Sequence, residues 1–266
     1  VARDKVNQSA AVVVVSTAAA DALNVPVERR IYLKGYAHAS ERAVIERPDI
    51  GEARSAGLAI KAALSAANVS LDDIALFDFY SCFPVAVANA IEAVGLAAND
   101  SRGLTLTGGL PYFGGPGNNY SMHAIVEVVD RLRKGQGQYG MVAANGGFLS
   151  KYAVGIYSTL AENFNHCDSA AVQAEVDALP SPVFNRSPDG KGRIETYTLN
   201  YDREGKAKSA VIVGRLNKTN ERFIAMTPRG NREIAEVLTT CEPLGLSVSV
   251  VTNAHVNYFQ LVEESE

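Results

Sequence analysis

TLTGGLPYFGGPGNNYSMHAIVEVVDRL, residues Thr105–Leu132, is the stretch on which the reading of this chain turns. A short β-type run leads into a loop with five glycines and two prolines, and the loop runs straight into an amphipathic helix. A loop so rich in glycine lets backbone come close to another group. The helix start at Asn118–Asn119 aims free N–H groups at whatever lies there. The plainer alternative is a tight strand-to-helix turn. Two further segments end in the same manner, FDFYSCFPVAVANAIEAVG (Phe77–Gly95) and YGMVAANGGFLSKYAVGIYS (Tyr139–Ser158). Each is a β run that stops at small or polar residues. Three such turns on one sheet can converge on one pocket.

The chain has 266 residues, enough for one large or two modest domains. At 47% hydrophobic and 20% charged it has an ordinary globular composition. A net charge of −4 gives no electrostatic footprint for nucleic acid, so none is expected as a partner. No apolar run reaches the roughly 18 residues of a membrane helix. Even Ala10–Leu23 is broken by Ser16, Thr17 and Asp21, so no membrane partner is expected either. The three cysteines, Cys82, Cys167 and Cys241, are far apart and form no C-x-x-C. That argues against a disulfide framework and against a zinc site, and it fits a reduced, cytoplasmic setting with no metal. The opening residues VARDKVNQ are polar, so no signal peptide is expected. A buried-looking β run follows almost at once, which suggests a larger protein cut or divided.

Up to about residue 165 the chain alternates β and α patterns. Ala11–Val15 reads as a fully buried strand with cover on both faces, and Ser16–Leu23 as a helix with Ser16 as N-cap. Arg30–His38 reads as a strand, Gly51–Ala67 as an Ala-rich helix, and Ser70 with Asp72–Asp73 as a turn. Ile74–Tyr80 is a strand, Pro84–Val94 and Tyr120–Arg133 are helices, and Tyr139–Ala144 and Ala153–Ser158 are an antiparallel pair. This order predicts an α/β domain over residues 1–165, a mixed sheet covered by helices. Residues 166–191 read as a linker or surface excursion, with three prolines and two glycines over Ala178–Gly192. Residues 192–266 carry five short β runs, Arg193–Tyr201, Ser209–Leu216, Arg222–Met226, Leu246–Val251 and Val256–Val262. One helix, Asn231–Leu238, precedes the fourth run, and the pattern predicts a small OB-like barrel.

The order of these pieces resembles the C-terminal half of the thiolase superfamily. Asp4–Ser16 (DKVNQSAAVVVVS) looks like the family's N-D-G-A-A-A entry strand. Leu71–Val87 sits where thiolases carry N-E-A-F, or H-D-C-F in the sterol-carrier type. Gly114–Ala124 sits where they carry G-H-P-x-G-x-x-G, and Ala143–Ala153 where they carry C-x-G. The segment beginning GRIETYTLNYDREGKAKSAVIVGRL (Gly192–Leu216) resembles the extra C-terminal β domain of mycobacterial thiolase-like proteins. The resemblance implies an acyl-CoA acyltransferase of the acetyl-CoA acetyltransferase type, active in lipid metabolism. It also implies coenzyme A thioester as substrate or ligand, with no other cofactor. The expected partner is an N-terminal thiolase half or a second subunit, giving a homo-oligomer.

The departures from the pattern are chemical. The nucleophilic cysteine belongs to the other half of a thiolase. The position of the family's activating His falls on Gly115, that of its acid/base Cys on Asn145, and that of its Asn or His on Tyr80. Glycine takes no proton and an amide does not titrate. Backbone donors survive such replacements, so Gly146 and Gly147 are expected to retain an oxyanion N–H. By the same resemblance Phe83, Gly114, Gly115, Asn118 and Asn119 would contact acyl-CoA.

The remaining candidates admit two readings each. Cys82 is a relocated nucleophile or a small residue in a packed turn. Tyr80 donates its hydroxyl to a carbonyl or simply packs. His123 replaces the lost His or faces elsewhere, lying eight residues beyond Gly115. Asn118 and Asn119 touch the acyl group or cap the next helix. The alternative for the whole chain is a non-catalytic acyl-CoA-binding or scaffold protein.

Overall fold

The computed structural model describes residues 2–161 and 165–262, and these fall into two compact units. Unit 1 comprises Val1–Arg42 and Gly51–Leu179, and unit 2 comprises Ala43–Ile50 and Pro180–Glu266. Asn163 and the acidic end at Glu263, Glu264 and Glu266 lie outside the described residues. Among those described, no helix is long and apolar enough to cross a membrane.

Unit 1 is built on a four-stranded mixed sheet. Its strands are β1 (Tyr32–Ser40), β2 (Ile74–Phe79), β3 (Tyr139–Gly146) and β4 (Lys151–Ser158), in the order β1-β4-β3-β2. β2 and β3 are parallel, while β4 runs antiparallel to both β3 and β1. The pleat of β2 sends Phe77 and Phe79 to one face and Leu76 and Asp78 to the other. Helix α2 (Arg54–Ala67) covers the first face, and its small residues Ala56, Ala59 and Ala63 are buried there with Ile60. Small side chains let the helix backbone sit on the strand. A Cβ on Gly35 would lie 2.5 Å from the Ala63 carbonyl and 2.7 Å from the Ala67 nitrogen. Helix α4 (Tyr120–Arg133) covers the second face, burying Ala124, Val128 and Leu132 against Leu76 and Val142. Helix α3 (Pro84–Glu92) starts with proline at its first position, where no N–H is needed.

The structure departs from the sequence reading at Ala11–Val15. These residues form no strand, and Val13 and Val14 are 90% and 87% exposed. An apolar run becomes a strand only where an edge receives it, and no described strand pairs with this one. The short helix after it, α1 (Thr17–Ala22), does begin at Ser16, whose hydroxyl accepts from the Ala19 N–H at 3.1 Å. Within the segment read as linker, Ser169–Asp177 form helix α5, capped by Asp168. Its Val172 and Val176 join the core of unit 1. The apolar i, i+4 spacing of those two valines was the available signal.

Unit 2 is a closed barrel of β5 (Gly190–Tyr201), β6 (Ala207–Leu216), β7 (Arg222–Met226), β8 (Ser247–Asn253) and β9 (Val256–Leu261). The order is β5-β6-β7-β9-β8, and β5 closes on β8. The one described helix of the unit that is not 3-10, α6 (Glu233–Val237), lies between β7 and β8. Ile194, Ile212, Phe223, Val248 and Phe259 fill the interior. Arg222 is wholly buried, yet its guanidinium is fully engaged. It donates to both Glu195 oxygens at 2.8 and 2.6 Å and to the carbonyls of Ile45, Arg47 and Pro48 at 2.8, 2.6 and 3.3 Å. Its backbone binds Val183 and Asn185 on the other side. One side chain therefore takes three carbonyls of Ala43–Ile50, a segment whose own regular structure is a single 3-10 turn, Val44–Glu46.

Burial pushes the Glu195 carboxyl up, but the hydrogen bonds from Arg222 and Arg215 outweigh it and hold the group below its usual range. A depressed carboxylate contributes stability above its unfolded pKa and loses it as pH falls through the folded value. Arg222→Ala should lower the unfolding free energy by about 3–5 kcal/mol, because it strands three carbonyls and part of Glu195. Urea titration measures this, and a loss below about 1 kcal/mol would show that the segment is held by something else.

Candidate functional site

β2 carries an acid in the middle of an apolar strand. Asp78 is 1% exposed and sits on the α4 face, one pleat beyond Leu76. Its Oδ2 accepts from the Leu106 and Thr107 N–H groups at 2.9 and 3.1 Å and from the Thr105 and Thr107 hydroxyls at 3.0 and 3.1 Å. The Tyr120 hydroxyl lies 3.4 Å from Oδ1 and 2.6 Å from the Thr107 hydroxyl. Burial raises the Asp78 pKa, and these donors pull against it. Burial, and then the nearby Asp78 charge, pushes Tyr120 up to about 12, so its phenol keeps the proton. Ser81 completes the anchoring of the loop by accepting from the Leu110 N–H at 3.1 Å.

The loop so held meets the ends of β2 and β3. The Tyr80 N–H continues the ladder to the Ala143 carbonyl at 2.9 Å. The Tyr80 ring packs edge-on to Tyr120 at 5.2 Å. A cleft of about 370 Å³ opens there, lined by Tyr80, Asn118, Ser121, Asn145, Gly146 and Lys151, with His38 and Ser40 at β1. Behind it a smaller apolar cavity shares Tyr80, Ala144, Asn145 and Tyr152 with the cleft. The three sequence turns thus meet at one end of the sheet, where α/β folds tend to receive ligands.

Tyr80, Asn118, Asn145 and Gly146 are brought together in the cleft. Cys82 stands beside them, its thiol donating to the Asn145 side-chain oxygen at 3.6 Å. Burial pushes the Cys82 thiol up, and the Phe83 N–H and Asn145 offset only part of that. Burial also raises Tyr80, with Cys82 as a lesser cause. Thiolate is the nucleophile, so a raised thiol pKa is the reverse of activation.

Other candidates lie elsewhere. Gly114 and Gly115 are buried under the N-terminal segment and do not line the cleft. The Gly115 N–H donates to the Arg3 carbonyl at 2.8 Å, and Val6 and Gln8 cover Gly114. Asn119 does not cap α4: its amide exchanges two hydrogen bonds with the Ala10 backbone, at 2.7 and 3.1 Å. His123 packs edge-on to Phe113 at 5.0 Å, with its Nε2 buried and without a hydrogen-bond partner among the described residues. Phe83 is 47% exposed and precedes α3, and Gly147 occupies an exposed turn with φ +62°. Asp78, Ser81, Ser121 and Lys151 went unnoticed in the sequence reading. Only Asp78 left a signal there, a lone acid inside the apolar run Ile74–Phe79.

Residues 171–254 match the family model described as the thiolase-like protein type 1 additional C-terminal domain. A solved structure, a monomeric SCP2-thiolase-like protein type 1 (STLP1) from Mycobacterium smegmatis, is similar at a TM-score of 0.85 and 44% identity. The match covers 92% of this chain and 53% of that one, so the chain spans about half the length of that relative. Human mitochondrial 3-ketoacyl-CoA thiolase matches at a TM-score of 0.45 and 22% identity, over 55% of this chain and 34% of that one. No curated protein sequence matches.

Asp78→Ala should cost about 1–3 kcal/mol for each of the two backbone donors left buried without an acceptor, and Asp78→Asn less. The sign with pH is set by the raised pKa. The folded state holds the Asp78 proton more tightly, so wild type gains stability relative to Asp78→Asn as pH falls through the folded pKa and loses it as pH rises. Denaturant titrations of both proteins across the carboxylate range would reveal the opposite slope if the donors dominated. The resemblance to thiolase-like proteins read from the three turns therefore stands, in the fold of most of the chain and in the family of its trailing domain.

Proposed function

We propose that this chain is the acyl-CoA-binding, C-terminal half of a thiolase-like protein and carries no complete acyl-transfer machinery of its own. The observation that carries the reading is the Cys82–Asn145 pair at the cleft. A half-buried thiol whose pKa is raised donates to an amide at the position where a thiolase keeps its acid/base cysteine. Such a pair orients a carbonyl but shuttles no proton. Gly115 supplies no base, and Ala2 and Arg3 of the N-terminal segment lie against it. Acyltransferase activity of the acetyl-CoA acetyltransferase type then requires a nucleophile from outside this chain. The Gly146 backbone at the cleft is the remaining oxyanion element.

The barrel belongs to this reading as an OB-like docking or covering module rather than a nucleic-acid reader. Its one-two-three-five-four order with a helix after the third strand supports the OB assignment. Its exposed Tyr197 and Tyr201 sit among interspersed acids such as Glu195, Asp202 and Glu204, which blunt a phosphate-tracking field. Free thiols at Cys82, Cys167 and Cys241 suit a reducing, cytoplasmic compartment.

Isothermal titration with CoA and acetyl-CoA tests the binding, and a thiolysis assay with a 3-ketoacyl-CoA tests the chemistry. Binding without turnover is the expected result. Turnover abolished by Cys82→Ser would make Cys82 the nucleophile and overturn the reading.

The exposed Val13–Val14 run marks the surface for a partner. We take that partner to be an N-terminal thiolase half. The solved relative is nearly twice as long and is described as monomeric, which favours a half over a second copy. Light scattering should show a 1:1 complex with such a half, and Val13→Glu/Val14→Glu should abolish it. A stable homodimer would identify a second copy instead, and a well-behaved monomer that ignores the half would sink the proposal.

A further inference from the structure

β1 is the outer strand of its sheet, and among the described residues no strand pairs with its far side. A free strand edge is a template for another strand. Here helix α5 occupies it. Ser169 Oγ accepts from the His38 N–H at 3.3 Å, and Gln173 Oε1 accepts from the Ser40 N–H at 2.8 Å. Gln173 Nε2 returns a bond to the Ser40 carbonyl at 3.0 Å and is aimed by a second bond to Asp177 Oδ1 at 3.0 Å. Before the helix, His166 Nδ1 lies 3.3 Å from the Tyr36 hydroxyl, and beyond the strand Arg42 donates to the Asp177 carbonyl. Two strand residues advance about 6.7 Å and four helical residues about 6 Å, so Ser169, Gln173 and Asp177 keep step with His38, Ser40 and Arg42. The match is that of a neighbouring strand, made with side chains.

We propose that α5 is an edge guard: it stands in for a fifth strand of the sheet and keeps β1 from pairing with β1 of a second copy. Such a pair would be antiparallel about a two-fold axis, the symmetry an edge reaches by meeting itself. The hold is reversible. Val172 and Val176 anchor one face of α5 in the core, and the Asp168 side chain caps its first turn. A helix of 9 residues is nonetheless marginal by itself. It stays because docking satisfies helix side chains and strand backbone together. The family model begins at residue 171, inside α5, and α5 belongs to unit 1. The first residues of that additional domain therefore serve the sheet rather than the barrel.

Light scattering on the whole chain reads association, and hydrogen exchange reads the edge. In the unmodified chain the His38 and Ser40 amides should be protected. Gln173→Ala leaves Ser169 in place, yet should speed exchange at His38 as well as Ser40 by about tenfold, because the helix releases the edge as one piece. Gln173→Pro breaks α5 and should produce a concentration-dependent dimer. Adding His38→Pro, which removes an outward N–H that pairing needs, should return the chain to monomer. Exchange at His38 that ignores Gln173→Ala overturns the guard, as does a Gln173→Pro chain that keeps its circular dichroism and stays monomeric. A dimer that survives His38→Pro, or that Val13→Glu/Val14→Glu abolishes, forms on another surface and overturns it too. If Gln173→Pro does not fold, Ser169→Ala/Gln173→Ala takes its place with the same outcomes.

Discussion

The carboxylate of Asp78 is the point around which the cleft is folded. Between Thr105 and Gly117 the chain has neither helix nor strand, so its N–H groups have no ladder to join. Side chains and irregular backbone take the ladder's place. Asp78 accepts from Leu106 and Thr107, Thr105 from Gly108, Ser81 from Leu110, and the Arg3 carbonyl from Gly115. β2 supplies two of these acceptors because its alternation carries Asp78 to the α4 face and its exit turn carries Ser81. The same charge holds Tyr120 through its hydroxyl, and Tyr120 braces the ring of Tyr80 at the cleft wall. A substitution at Asp78 therefore reaches the cleft without touching a ligand.

Unit 2 solves the mirror problem. There the irregular segment is Ala43–Ile50, and what it presents to the barrel is carbonyl oxygen. A buried guanidinium suits that task as a buried carboxylate suits exposed N–H groups, because Arg offers five donors in a fixed plane. Arg222 divides them between one acid and three carbonyls. Glu195 is shared with Arg215, so the ion cluster spans β5, β6 and β7. In both units a single charged residue, placed by strand alternation, substitutes for missing secondary structure.

Periodicity made the regular elements legible. Tyr120–Arg133 was readable to the residue because its apolar stripe, its glycine-rich entry and its basic last turn agree. The five barrel strands were readable from alternation, and β7 likewise to the residue. What periodicity does not carry is the identity of a partner. Ala11–Val15 has a strand's composition, but whether an edge receives it is settled by the rest of the fold. Asn119 has a cap's composition and position, yet the Ala10 backbone competes for its amide and wins both ends of it. Gly115 was read as an open motif position, and it is closed by residues more than a hundred positions away in the chain. The departures at Asn119 and Gly115 are long-range contacts made by a polar or small group, which leave no local pattern.

The electrostatics of the cleft follow from the same burial. Tyr80, Cys82 and Tyr120 all have pKa values raised by desolvation, so each keeps its proton at neutral pH. Asn145 and the Gly146 backbone are neutral by nature. These groups of the cleft are therefore neutral dipoles, the Asp78 charge is spent on the loop, and Lys151 brings a basic side chain to the lining. Neutral dipoles hold a thioester carbonyl at small desolvation cost, because nothing ionic has to be stripped of water. They are poorly suited to generating a carbanion, which demands a base that leaves with the proton. Tyr80, Cys82, Asn145 and Gly146 thus offer a ligand hydrogen-bonding dipoles rather than a ready base.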